Sequence, residues 1–137
     1  MTSQLNVDTI KGKTAETSIT IQGEGSATTN LQQGVVKVWI NFDGTGTPSS
    51  RDSFNVGSIT DNGTGSYDIV FTNAMGNANY TTQCSLNNGT TDVSGAHDYG
   101  FAIVDRATGT YRIDIENASN TQTDLSLTDT IIHGDLA

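Results

Sequence analysis

Cysteine occurs once, at Cys84, so no intrachain disulfide framework can form and the fold must hold by packing or by assembly. The one proline, Pro48, sits in a Gly/Thr/Ser loop, and this scarcity beside abundant Thr, Val, Ile and aromatics sets the chain apart from disordered, proline-rich ones. Basic residues are few: six Lys and Arg stand against fifteen Asp and Glu, a formal net charge of -9 over 137 residues. Such a surface repels phosphates, which excludes nucleic acid as an expected partner. Long apolar runs are missing, and Met1-Thr2-Ser3-Gln4 has neither a basic nor an apolar region, so neither a signal peptide nor membrane insertion is expected. No stretch keeps a helical apolar period over three turns.

What is present is strand and turn chemistry, led by Thr, Gly, Ser and Asn. Val36, Val38, Ile40 and Phe42 alternate with Val35, Lys37, Trp39 and Asn41, the signature of a strand with one buried face. Asp43-Gly44-Thr45-Gly46-Thr47-Pro48 then forms a loop. A strand with Phe54 and Val56 turned to the core follows, and the phase change at Gly57-Ser58 that brings in Ile59 predicts a bulge. Asp61-Asn62-Gly63-Thr64-Gly65 predicts a hairpin turn, because Asn-Gly supplies left-handed conformers. Tyr67, Ile69 and Phe71 alternate inward, as do Tyr80, Thr82, Cys84 and Leu86 before the Asn87-Asn88-Gly89 turn. Tyr99, Phe101 and Ile103, then Tyr111, Ile113 and Ile115, flank Ala107-Thr108-Gly109-Thr110, and a last strand carries Leu125 and Leu127 toward Ile131-Ile132.

The expected fold is therefore all-β, an antiparallel β-sandwich of roughly seven to eight strands over residues 35–137 with an extended N-terminal arm over residues 1–34. With strands running up and down in order, loops 43–52, 73–79 and 107–110 would share one end, and loops 61–65, 87–98 and 117–124 the other. In the arm, Leu5, Val7 and Ile10, then Ile19 and Ile21, form two short apolar patches separated by Lys11-Gly12-Lys13 and closed by Gly23-Glu24-Gly25. Neither patch can bury itself alone, so both are candidate docking and oligomerisation residues. Trp39 joins them because it lies opposite the strongest apolar row; it reads as covered by another subunit or by the chain itself, with sugar stacking as the other reading.

Chemistry-bearing patterns are sparse. His97-Asp98 fits a surface hydrogen bond better than a catalytic triad, and Cys84 fits a small core position, so no catalytic residue is assigned and no enzyme is expected. Asp61, Asn62 and Asp68, or Asp43 and Asp52, offer hard oxygens that calcium would accept, but no Asp-rich loop closed by a Glu surrounds them, and they read first as turn formers. No metal site and no cofactor are expected. Asp43, Thr45, Asp61, Asn62 and Asn88 remain as loop residues with donors and acceptors suited to surface binding, including sugar hydroxyls.

Several segments together carry a resemblance: Leu5-Asn6-Val7-Asp8-Thr9-Ile10, Trp39-Ile40-Asn41-Phe42-Asp43-Gly44-Thr45-Gly46-Thr47, Arg51-Asp52-Ser53-Phe54-Asn55-Val56, Ile59-Thr60-Asp61-Asn62-Gly63-Thr64-Gly65 and Ile132-His133-Gly134-Asp135-Leu136. With them the chain resembles the small fibre-like and knob-like virion surface proteins of marine bacteriophages, the cyanophage type included. The resemblance implies a non-enzymatic structural protein made in the host cytoplasm and displayed on the virion surface, as a capsid knob or decoration or a small fibre, aiding attachment to the host. Implied partners are other capsid or tail proteins and further copies of the chain, a trimer favoured, with a host-surface glycan as candidate ligand. The alternative is a lectin-like, carbohydrate-binding receptor module of a tail fibre.

Overall fold

The computed structural model describes residues 5–14, 19–22, 25–88 and 99–137. The chain divides into two compact units, Met1–Val35 and Val36–Ala137. In the first, β1 (Thr20–Gln22) pairs antiparallel with β2 (Thr28–Asn30), Ile21 opposite Thr29, and one helical turn, α1 (Leu31–Gly34), follows. The Leu31 amide donates to the Ile19 carbonyl at 2.9 Å, closing the open end of the hairpin. The expected extended arm is therefore a hairpin in its second half, while residues 5–14 carry no regular element. The predicted stop at Gly23-Glu24-Gly25 lies largely outside the described residues.

In the second unit, eight strands form two four-stranded antiparallel sheets. One sheet has the order β4 (Ser49–Phe54), β3 (Val38–Asp43), β10 (Leu127–His133), β7 (Thr81–Asn87); the other has β5 (Val56–Asp61), β6 (Ser66–Phe71), β9 (Thr110–Asn117), β8 (Tyr99–Val104). The antiparallel sandwich is as the alternation predicts. Val38, Ile40 and Phe42 of β3 and Ile132 of β10 face Tyr67, Ile69, Tyr111, Ile113 and Ile115 of the opposite sheet, all essentially without exposure. Two packed sheets bury their inner side chains between them in this way. Phe42 meets Tyr67 edge to face, centroids 5.2 Å apart. The core also takes in polar groups of β10: Thr130 is hydrogen-bonded to the Tyr111 hydroxyl, while the buried Thr128 hydroxyl has no partner among the described residues.

The bulge expected near Gly57 is present, as a register shift between Val56 and Ser58 opposite β6. A second shift, between Asn41 and Phe42 opposite β4, leaves Arg51 as an extra residue and has no glycine to announce it.

Two expectations are corrected. Phe54 is not core: it pairs with Trp39 across β3 and β4, on the outer face of the sheet, and is 52% exposed. The sorting of loops also changes, because residues 49–54, most of them expected in the loop 43–52, form a strand separate from residues 56–61. Asn55, with φ of 59°, reverses the chain in a single residue and carries it from one sheet to the other. Asparagine tolerates this left-handed conformation, and its side chain stabilises the reversal: Nδ2 donates to the carbonyls of Lys37 (3.2 Å) and Asn73 (3.1 Å), and Oδ1 accepts from the Asn73 amide (2.7 Å). One additional reversal moves every later loop to the opposite end. Loops 44–48, 62–65 and 118–126 consequently share one end, and Asn55, residues 72–80, residues 105–109 and the C-terminal residues share the other, where Gly76 N bonds Asp135 O and Met75 N bonds Thr108 O, each at 2.7 Å.

Candidate functional site

The corrected sorting brings the loop candidates together. Asp43 and Thr45, Asp61 and Asn62, and Asn88 at the outgoing end of β7 all fall at the Gly44 end of the sandwich, although the sequence assigns Asp43 and Thr45 to the opposite end from the other three. Their side chains are largely committed to the loops themselves. The Asp43 carboxylate accepts from the Thr45 amide (2.9 Å), the Thr45 hydroxyl (2.6 Å) and the Arg51 guanidinium (2.9 Å). These bonds, the hydroxyl first, hold its carboxyl below the usual carboxylate range. Asp61 accepts from the Gly63 amide at 2.9 Å, the Asx-type closure of the hairpin turn. Asn88 Nδ2 reaches the Tyr99 hydroxyl at 3.5 Å.

Under these loops lies a polar knot that the sequence does not announce. The Asp124 carboxylate accepts from the Tyr67 hydroxyl (2.5 Å) and the Gly65 amide (2.7 Å), and the Tyr67 hydroxyl also lies 3.0 Å from the Gly44 carbonyl. Burial, then the neighbouring Asp124, pushes the Tyr67 hydroxyl well above its ordinary value, so it stays protonated. Both glycines are closely approached: a Cβ on Gly44 would come within 2.6 Å of the Tyr67 hydroxyl, and one on Gly65, at φ of 70°, within 2.6 Å of the Ile115 carbonyl. Three loops distant in sequence are tied here into one rigid end.

The carboxylates weighed as calcium ligands are engaged elsewhere. Asp68 accepts from Arg112 Nε at 2.7 Å, and Arg112 also pairs with Asp105 at 3.0 Å. Among the described residues no three His, Cys, Asp or Glu side chains are grouped to hold a metal ion. His97-Asp98 lies outside the described residues. Cys84 is partly buried against the core, and burial, helped by Asp129, pushes its thiol up to about 12. A thiol so reluctant to ionise is a poor nucleophile.

A second candidate surface is the outer face of the β4-β3-β10-β7 sheet. Register places Phe54, Trp39, Ile131 and Gln83 in one row across it, and Asp52, Asn41, Asp129 and Ser85 in the next. Trp39 is half-buried; Ile131 is 39% exposed. The Asn41 amide donates to the Asp129 carboxylate, fixing both side chains on the sheet. Trp39, Asn41 and Ser85 line a depression of about 380 Å³ with Asp129 and Ile131. A second depression, of about 450 Å³, extends past β7 to Phe101 and shares Ser85, Asp129 and Ile131 with the first. The alternation within β3 marks Trp39 as outward-facing; its aromatic neighbour, Phe54, comes from another strand and emerges only with the pairing.

The docking candidates of the first unit are open: Leu5 is 79% exposed, Val7, Ile10 and Ile21 are each more than half exposed, and Ile19 is intermediate. Among the described residues no helix is long and apolar enough to cross a membrane. No protein-family model, curated protein or solved structure matches the chain.

Proposed function

We propose that the protein is a non-enzymatic structural protein displayed on the surface of a bacteriophage particle, a capsid knob or decoration or a small fibre, held through residues 1–34 and presenting the sandwich. The carrying observation is the contrast in burial: the sandwich encloses its own apolar core, while Leu5, Val7, Ile10 and Ile21 stay open to solvent. Exposed apolar side chains on a short hairpin and an irregular segment gain their burial from a neighbour, by added strand pairing or by packing into a groove. That neighbour is another virion protein or further copies of the chain, the trimer favoured. Within the sandwich, the start of β3 lies at the Asn55 end, opposite the tied loops. The virion setting itself rests on the sequence resemblance. Immunogold labelling of purified particles tests it: regular labelling of capsid or tail supports display, and absence of the protein from particles contradicts it. Replacing Leu5, Val7 and Ile10 together by Ser should abolish particle association and leave the far-ultraviolet spectrum unchanged.

A second reading, a carbohydrate-binding receptor module, is favoured by the outer sheet face, where aromatic and apolar side chains sit one row away from Asp, Asn and Ser.

A further inference from the structure

We infer that the saccharide site is the trough on the outer face of the β4-β3-β10-β7 sheet, and that it takes a neutral oligosaccharide. The inference rests on the carbohydrate-binding reading and adds to it a location and a ligand class; it holds wherever the protein is carried. The two depressions share Ser85, Asp129 and Ile131, so they form one trough that runs from Trp39 on β3 over β10 and turns round the β7 edge, where Thr82 and Cys84 of β7 and Phe101 of β8 in the opposite sheet line it. The two strand spacings from β3 to β7 alone cover about 10 Å. That length suits several linked sugar rings and exceeds what a single ring would fill.

The lining fits sugar chemistry on two counts. A pyranose ring has an apolar face of C–H groups and an equatorial rim of hydroxyls. Trp39 at one end and Phe101, 43% exposed, at the other supply flat apolar surfaces for the first. Asn41, Ser85 and Asp129 supply amide, hydroxyl and carboxylate partners for the second. The Asn41–Asp129 hydrogen bond holds two of these groups in place before any ligand arrives, which lowers the ordering cost of binding.

Charge sets the class. Among the described residues neither depression is lined by Lys or Arg, and Asp129 lies between the two aromatic ends. An acidic or sulfated glycan would meet like charge with no cation to offset it. The same charge argues against a second copy of this face as the occupant. A two-fold contact would set the row of Asp52 and Asp129 against its own counterpart, and Arg51 and Arg112 are already paired with Asp43, and with Asp68 and Asp105.

The test uses the full chain and calorimetric titration with neutral hexaoses, β-1,4- and β-1,3-linked glucose, α-linked mannose and β-1,4-linked N-acetylglucosamine, beside hexagalacturonate as the anionic probe. Trp39 is the only tryptophan, so its emission reports the site directly. At least one neutral hexaose should bind, shift Trp39 emission and bind more tightly than its disaccharide. Trp39→Ala and Asp129→Ala should each weaken that binding at least tenfold, while Asn62→Ala at the loop end should leave it unchanged. If Trp39→Ala unfolds the protein, Phe101→Ala at the exposed edge should weaken the hexaose and spare the disaccharide. Binding that survives Trp39→Ala or Phe101→Ala together with Asp129→Ala, or that Asn62→Ala abolishes, would overturn the trough as the site and leave the carbohydrate reading standing. Binding of hexagalacturonate alone would overturn the neutral ligand class and leave the carbohydrate reading standing, and binding of none of the six-sugar probes would overturn both.

Discussion

Isoleucine has two fates in this chain. Ile40, Ile69, Ile113 and Ile132 are sealed between two sheets, whereas Ile10 and Ile21 of the N-terminal unit are more than half exposed. The side chain is the same; the difference lies in the number of layers around it. Four strands on each side give every inward residue of the sandwich a ceiling as well as neighbours. A hairpin with three paired positions has neighbours and no ceiling, and two-stranded ribbons are marginal on their own. The comparison teaches that apolar residues mark a core only where the topology supplies a second layer, and stay open to solvent where it does not.

Substitution breaks the comparison most directly. Ile113→Ala removes fully enclosed methyl groups and should cost about 2–5 kcal/mol, a large part of the roughly 5–15 kcal/mol that stabilises a typical domain. Ile10→Ala should move the urea midpoint of the free chain by no more than about 0.5 kcal/mol equivalent and should weaken assembly instead. Equal destabilisation by both would mean that residue 10 belongs to the core.

Asn55→Ala comes next. It forfeits the tolerance for a left-handed backbone together with the bonds to Lys37 and Asn73, and about 2 kcal/mol is expected. Asn55→Gly should recover part of it by relieving the backbone alone. Thr128→Val works in the other direction: replacing a buried hydroxyl without a partner by a methyl group should raise stability by about 1 kcal/mol, read as a higher urea midpoint at constant slope.

The smallest effect is at the surface. The Arg112 hydrogen bond holds the Asp68 carboxyl below its ordinary value. A carboxyl lowered on folding contributes stability in full above its unfolded value of about 3.9 and loses that contribution as pH falls through the folded one. Asp68→Asn should therefore cost under about 1 kcal/mol at pH 7, because the pair is solvent-screened, and the difference from the parent should vanish once the pH has fallen below the folded value. A difference that persists in acid would assign the effect to packing.

The buried rows of the sandwich were legible because side chains of a strand alternate with period two: Val38/Ile40/Phe42, Tyr67/Ile69/Phe71 and Tyr111/Ile113/Ile115 all face inward as their spacing indicates. The Asn62-Gly63 turn was legible because Gly63 permits the positive φ it takes, and the Gly57 bulge because the apolar phase changes between Val56 and Ile59. Asn55 was hidden because Ser49 to Ser53 carry no apolar residue to establish a phase, so most of β4 reads as loop and its end, Phe54, as part of the next strand. That single missed reversal displaced five loops to the wrong end. The candidate surfaces were the least legible. Phe54 reaches Trp39 through strand pairing, and Asp124 reaches Tyr67 across 57 positions, and neither relation leaves a mark in local spacing.

The central claim is that Val36–Ala137 is a complete fold and that the preceding residues exist to be covered by a partner. Urea unfolding of a chain beginning at Val36, followed by far-ultraviolet circular dichroism beside the full chain, tests it most directly. The account predicts one cooperative transition with a midpoint matching that of the free full-length chain, together with loss of oligomer or particle association. A truncated chain that is unfolded, or whose transition loses its cooperativity, would contradict it and place the N-terminal residues within the fold.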